Sequence, residues 1–596
     1  MPEESEIDPR AALTRRALLH RTAAGAASAT LAGGALGTAW GAAGAPGRRV
    51  VGLPSPKRIR ADYQRMVDFG PRLPGYVEHD RFCDWLEDEF VAAGLELIPC
   101  DDYEYERWRP KRIALDLLDG PPPRSIEVAT SFVRSKGTPP GGVVGPLVNE
   151  GSGGSVQGSV LLVDMTATTP PPTDYKRLWL GPWPDLQPYA DRGVRAVVFV
   201  VNCSFGELAG NWSPHTGLYQ PIPALVLDRD TASNLRQRAS ARPNVRLTLD
   251  APVKKTLVRS ITAVLPGRSD EVIVVDTHTD GQNFVEENGS VALVHLARHF
   301  ASLPRGKRLE RTLVFAAWPG HMAGTLPQAP GWVAAHHGIV KRAAAAVTIE
   351  HLGAPQWEDT PGRGYHATGK NELYLLSVTQ GLTTKIVNRA LGKAKLGNHV
   401  VTGGPGITVG SIFHEVGVPH VGGIAGPTYL LVVSKNGEMD KLDARLAAKQ
   451  TAFYADVIEH LDKADAADLR KGAPTLGSQP LPTHDASTPT QCGPANRLVV
   501  DAGKGRRLAA RFYGGPRSDG GVLVTVAAID AAVAGVTVEL RRGKTVYARS
   551  ARVRADREVR RVLLRRSAGK RFQRGSYSLV LRRNGKVLGR RTVGVG

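Results

Sequence analysis

VVDTHTDGQNFVEENGSVAL, residues 274–293, is the stretch on which the fold turns. It begins inside EVIVVD, a continuous, mostly β-branched apolar run of the kind found in parallel strands buried on both faces. It leads into SVALVHLARHF, which reads as a helix. Between the two lie His278, Asp280 and Glu287. A strand ending at such a junction is expected at the carboxyl edge of an open α/β sheet, where these sheets place their ligands. The three polar residues are therefore expected to project into a crevice.

Working outward, SITAVLPG, RTLVFAAW and AAAAVTIEHLG read as further strands alternating with helices, and ARLAAKQTAFYADVIEHLDKA reads as a long closing helix. The expected fold class is α/β, with a mixed, mainly parallel sheet flanked by helices. Residues 55–135 supply its first part: two amphipathic helices and the strand RIALDLLDG. Residues 136–252 change texture to Gly/Pro-rich loops between short strands (GSVLLVDM, VRAVVFVVN, IPALVLD, NVRLTLD) and read as an inserted β-rich module. The α/β domain resumes over 253–465. A Pro/Ser/Thr-rich linker spans 466–490. Residues 491–596 alternate apolar and polar positions around Arg-Gly-Lys and Asn-Gly-Lys turns, the pattern of an immunoglobulin-like β-sandwich.

A chain of 596 residues exceeds one hydrophobic core. Its 42% hydrophobic and 22% charged content is that of globular protein. Residues 1–45 carry Arg15-Arg16, a mildly apolar Ala/Leu/Gly stretch and small residues near Ala43 and Ala45. These features read as a signal peptide for twin-arginine export, and so as an extracellular, periplasmic or cell-wall location. No later run of about 18 purely apolar residues is present to span a membrane. Cys83, Cys100, Cys203 and Cys492 lack zinc-ribbon spacing. Cys83 with Cys100 is the most local disulfide pair, and buried free thiols are the alternative. The net charge is +21, and residues 491–596 hold 25 Lys+Arg against 6 Asp+Glu. That basic tail points to an acidic cell-wall polymer or an anionic membrane surface as partner, and away from nucleic acid because aromatic stacking residues are few.

The order of helical lead, β-rich insertion and strand–His-x-Asp–helix resembles the di-zinc aminopeptidase and glutamate carboxypeptidase family, whose fold transferrin receptors share without peptidase activity. The likeness covers residues 55–465, and the insertion resembles the family's protease-associated domain. The resemblance implies a zinc exopeptidase-like fold with His278 as a metal ligand, Asp280 orienting its imidazole, and Glu287 as the bridging carboxylate. In LVFAAWPGHMAG it puts His321 at the general-base position and Met322 at a ligand position. It puts Glu350 at the next ligand position, and Tyr429-Leu430 where the family has Tyr-His. One zinc position, His278, Glu287 and Glu350, thus keeps ligand-competent residues, whereas Met322 and Leu430 leave the other without ligands. Tyr429 would steady an oxyanion. His351 and His414 are candidates to line the pocket, with His420 on the same edge.

Two functions stand open on this reading. One is an exported metallo-exopeptidase-like hydrolase of peptide or amide bonds using one zinc ion. The other is an inactive binding protein on the same scaffold, with the metal absent. His295 and His299 read as surface histidines, His336-His337 as a solvated helix end, and GGPG at 403–406 as a loop.

Overall fold

The apolar run of EVIVVD lies in strand Val272–His278, which is buried along its whole length. In this computed structural model the described residues are 50–596, except 98–99, 121, 123, 166–184, 211–218, 322, 324–325, 361, 476–489, 493–496, 513–521, 529–530, 556–559, 574 and 596. The chain divides into two units, Met1–Arg48 and Arg49–Gly596. The first contains the segment read above as a signal peptide and lies outside the described residues, as do Met322 and most of the linker.

Strand Val272–His278 sits inside an eight-stranded sheet. In spatial order the strands are Glu96–Leu97, Ile261–Leu265, Thr312–Trp318, Val272–His278, Ala343–Ile349, His420–Ala425, Tyr374–Val378 and His399–Gly403. From Thr312–Trp318 to His420–Ala425 every pairing is parallel, and the flanking pairings with Ile261–Leu265 and Tyr374–Val378 are antiparallel. The β-branched run is continuous because both faces are covered. Ile273 and Val275 join the core under the helices, while Val272 and Val274 join a second cluster containing Trp318, Trp332 and Phe413. Helix Asn288–Ala301 presses on the first face. Gly289 permits the approach, because a Cβ there would run into the Ile349 carbonyl and the Thr277 hydroxyl.

The leading helices lock onto this core by caps and charge. Ser55 caps Pro56–Val67, with Pro at the first turn where its missing N–H costs nothing. Helix Val77–Ala93 is held by the Arg259 guanidinium, which donates to Asp80, Asp84 and Glu87. Asp443 caps the closing helix Ala444–Lys463.

Residues 136–252, read as a β-rich insertion, supply five strands of a second eight-stranded sheet. Its middle strands Val143–Asn149, Val160–Asp164, Ala196–Val200 and Ala224–Leu227 are all parallel, with helix Arg229–Ala239 capped by Asp228. Runs of four or five apolar residues do not reveal strand direction, so the sequence left this open. Strand Arg112–Leu117 pairs with Asn244–Asp250 and so belongs to this sheet, not to the first. A three-stranded ladder of Val253–Arg259, Cys100–Trp108 and Thr490–Cys492 sets Cys100 in register with Cys492. Cys83 and Cys203 are buried free thiols, so the Cys83–Cys100 pair is not formed. Burial pushes the Cys83 thiol up to about 12.

The C-terminal strands form a nine-stranded antiparallel sheet. Every strand contributes to one apolar cluster that includes Phe512, Val538, Leu564 and Leu579. Among the described residues no helix is long and apolar enough to cross a membrane.

Candidate metal centre

Three neighbouring parallel strands end together and each hands over an imidazole. Val272–His278 ends on His278, Thr312–Trp318 runs into the loop bearing His321, and Ala343–Ile349 is followed by Glu350 and His351. The loop before helix Asn288–Ala301 adds Glu286. One ligand atom from each of His278, Glu286, His321 and His351 lies within 4.8 Å of all the others. His278, Glu286 and His351 are fully buried, and the His321 side chain is 20% exposed, marking the side open to solvent. His351 takes a left-handed backbone at φ 55°, uncommon for a non-glycine residue and of the kind that concentrates at functional sites.

The tautomers of two rings follow from their partners. His278 Nδ1 donates to the Asp280 carbonyl at 2.9 Å, and His351 Nδ1 donates to the Ala425 carbonyl at 2.6 Å. A carbonyl only accepts, so each Nε2 carries a lone pair toward the cluster. Neither Nε2 has a hydrogen-bond partner, nor has either oxygen of Glu286. Glu286 Oε1 lies 3.2 Å from His321 Nε2, and Oε2 lies 3.7 Å from His351 Nε2. Such convergence of buried, unpartnered acceptors costs stability unless a cation or proton joins them. Burial accordingly depresses His278 and His351 and raises Glu286 to about 7. Three imidazoles and a carboxylate suit a borderline-soft divalent ion such as zinc. The residues present therefore fit a metal.

Glu350 stands beside this group rather than in it. Its Oε2 is unpartnered, 3.7 Å from His278 Nε2 and 4.0 Å from His351 Nε2, while Oε1 accepts from the Val409 amide at 2.7 Å. Burial raises its carboxyl to about 8.

Other residues expected at the site are placed elsewhere. Glu287 is buried in an ion pair with Arg72, whose guanidinium also donates to the carbonyls of Met66 and Asn283. Glu286, one position earlier, takes the place facing the imidazoles. The Asp280 carboxylate lies 3.9 Å from His278 and accepts instead from the Gly320 and His321 amides, so it shapes the loop that delivers His321. It is the Asp280 backbone that orients His278. The Tyr429 hydroxyl donates to the Pro355 carbonyl at 2.9 Å, and its ring packs on Phe284. His414 Nδ1 is 2.8 Å from the Thr379 hydroxyl, and His420 Nε2 is 2.8 Å from the Thr348 hydroxyl; neither joins the cluster.

His295 is not a surface residue. It is 4% exposed and lies 3.5 Å from Asp62 on the neighbouring helix, and burial depresses its imidazole to about 3. His299 is half-buried, with Nδ1 3.0 Å from the Val51 carbonyl. His295→Ala is expected to lower stability by ~1–3 kcal/mol through lost packing while leaving metal content unchanged. Loss of metal in that variant, measured by elemental analysis, would show that the cluster is wrongly drawn.

No known-family model matches the chain, and no curated protein does. Among solved structures it is similar to a peptidase M28 precursor from Shewanella amazonensis SB2B, at 18% identity over 70% of this chain and 98% of that one, with a TM-score of 0.52. It is also similar to a zinc aminopeptidase from Bacillus subtilis, at 14% identity over 71% of this chain and all of that one (100%), with a TM-score of 0.50. At such identities the likeness is one of fold. The chain shares its fold with these two structures, and it carries a cluster of residues able to hold a metal at the carboxyl edge of its sheet.

Proposed function

We propose that the protein is a single-metal hydrolase of peptide or amide bonds, an exopeptidase-like enzyme acting outside the cytoplasm. The observation that carries this reading is the convergence of buried, unpartnered His278 Nε2, His351 Nε2 and Glu286 oxygens on one point beside His321. Those four residues would hold the ion. An ion bound there supplies Lewis acidity toward the scissile carbonyl and the attacking water.

The base in this proposal is Glu350. Its free Oε2 takes the water proton, and its raised affinity for protons in a buried setting suits that exchange near neutrality. His321 moves from base to ligand, the reverse of the assignment drawn from the family pattern. The Asp280 carboxylate positions His321 through the loop amides. Tyr429 acts on the pocket wall rather than on an oxyanion, because its hydroxyl is already committed. In the same proposal residues 136–252 serve as a protease-associated-like insertion, 491–596 as an immunoglobulin-like module, and 1–45 as the twin-arginine export signal.

The test is hydrolysis of aminoacyl-p-nitroanilides and dipeptides, assayed in lysate, surface and culture fractions of the producing cell. Activity should follow the exported fractions, vanish on chelation and return with zinc. Glu350→Gln should keep the metal and lose at least ~100-fold in kcat, the lower end of what a positioned base contributes. A metal-replete protein that binds peptides and turns none over would replace this reading with that of a binding protein on the same scaffold.

A further inference from the structure

Part of the charge of the C-terminal sheet is gathered in one row across its strands. Arg565, Arg549, Glu539, Val580 and Arg590 stand directly opposite one another across five adjacent strands. Directly opposed residues share a face, so these five make a row roughly 19 Å long at about 4.8 Å between strands. The alternate residues Val538, Leu540, Leu579 and Leu581 face the core instead. Two more arginines flank the row, Arg541 beyond Glu539 and Arg582 beyond Val580.

Glu539 is the acid at the centre of this row. Its side chain is 1% exposed because three guanidinium groups cover it: Arg549 at 2.5 Å, Arg541 at 2.9 Å and Arg582 at 3.1 Å. One carboxylate cannot neutralise three cations, and Arg565 and Arg590 are exposed beside them. Among the described residues, five arginines against one glutamate leave this row strongly positive. A glutamate anchoring the side chains also holds their planar forks in place, which reduces the entropy lost when they grip an anion.

We infer that this row is a binding surface for a linear polymer of phosphate groups, recognised by its charge. The chemistry fits phosphate because the arginine fork pairs with it bidentately. Among the described residues nucleobases have no platform on this face: the aromatic residues Tyr547, Phe572 and Tyr577 pack against one another and the core. A bilayer is disfavoured because Val587 is the large hydrophobic side chain found exposed among the described residues of this sheet, which is too little to insert. The inference is independent of the metal centre.

The test uses the full chain and inorganic polyphosphate as probe, titrated across a salt series. Binding is expected at low ionic strength, weakening linearly in log K against log salt. The triple variant Arg549→Gln/Arg565→Gln/Arg590→Gln should bind at least ~10-fold more weakly, with the slope reduced by about 2 at ~0.7 per phosphate contact on a flexible strand. Arg590→Gln alone should move both in the same direction, and it involves no partner of Glu539. A control with the same loss of charge elsewhere, Lys385→Gln/Arg389→Gln/Lys395→Gln on helix Leu382–Ala394 and its C-cap, should leave affinity unchanged. The inference fails if polyphosphate does not bind at low salt or if the control loses as much as the triple variant. It also fails if oligothymidylate or phosphatidylglycerol vesicles bind more tightly than polyphosphate at equal phosphate concentration.

Discussion

Glu286→Gln and His351→Ala should each strip the metal from a protein that otherwise carries one divalent ion per chain. The expected loss of affinity is at least ~100-fold, since even the outer partners of ligating residues are worth about 10–100-fold. The Gln substitution keeps the size of the side chain and removes the charge, so the fold should survive it. Both Glu286 oxygens are buried and without hydrogen bonds, which leaves nothing but the cluster to lose. Metal content by elemental analysis and a competition titration against a chelator measure the effect. Glu287→Gln is the counterpart, because the family pattern assigned ligation to that residue. If Glu286→Gln keeps its ion while Glu287→Gln loses it, the cluster seen in the structure is not the metal site.

The difference between those two residues shows where sequence reading ran out. EVIVVD identified a doubly covered parallel strand, and the edge rule then put His278 at that strand's carboxyl end, where the cluster lies. His321 and His351 follow for the same reason, since each lies just beyond the end of an adjacent parallel strand. In the Glu286-Glu287 pair, however, one residue faces the imidazoles and the other turns away. The choice is made by Arg72, 215 positions from Glu287 along the chain. Nothing local in FVEENGS reveals that partner. The only available signal was that the motif offers two carboxylates for one position.

The other misplacements have the same origin in long-range packing. The i, i+4 spacing of His295 and His299 looked like a solvent stripe, yet His295 meets Asp62 on a helix that begins more than 200 residues earlier. Tyr429 kept its place in the chain order but lost its free hydroxyl to the Pro355 carbonyl. The inserted module was legible as short strands and loops, while their parallel direction was not, because apolar runs of that length do not encode it. The basic character of the C-terminal sheet was visible in composition. That the arginines share a row depended on strand register, which pairs residues such as Arg549 and Arg565 from separate hairpins.

Arg72→Met should be the most destabilising single change near the site, costing ~3–5 kcal/mol in the first unfolding transition, as expected when one partner of a buried ion pair is removed. Arg72 and Glu287 are both inaccessible to solvent, so neither charge has water to fall back on. The guanidinium also ties the carbonyls of Met66 and Asn283, joining the leading helix to the loop that carries Glu286. Backbone bonds between Arg72 and Gly281 fix the same junction. Losing the arginine therefore strands a carboxylate and loosens the loop together. The double variant Arg72→Met/Glu287→Leu removes both charges, and paired apolar replacements of buried ions are often neutral. It should recover most of the lost stability, and it should still bind one metal ion, because Glu287 is structural in this arrangement. Denaturant unfolding and elemental analysis on the single and double variants read both outcomes. If the double variant is restored in stability yet empty of metal, Glu287 is a ligand after all, and its pairing with Arg72 must give way when the ion binds.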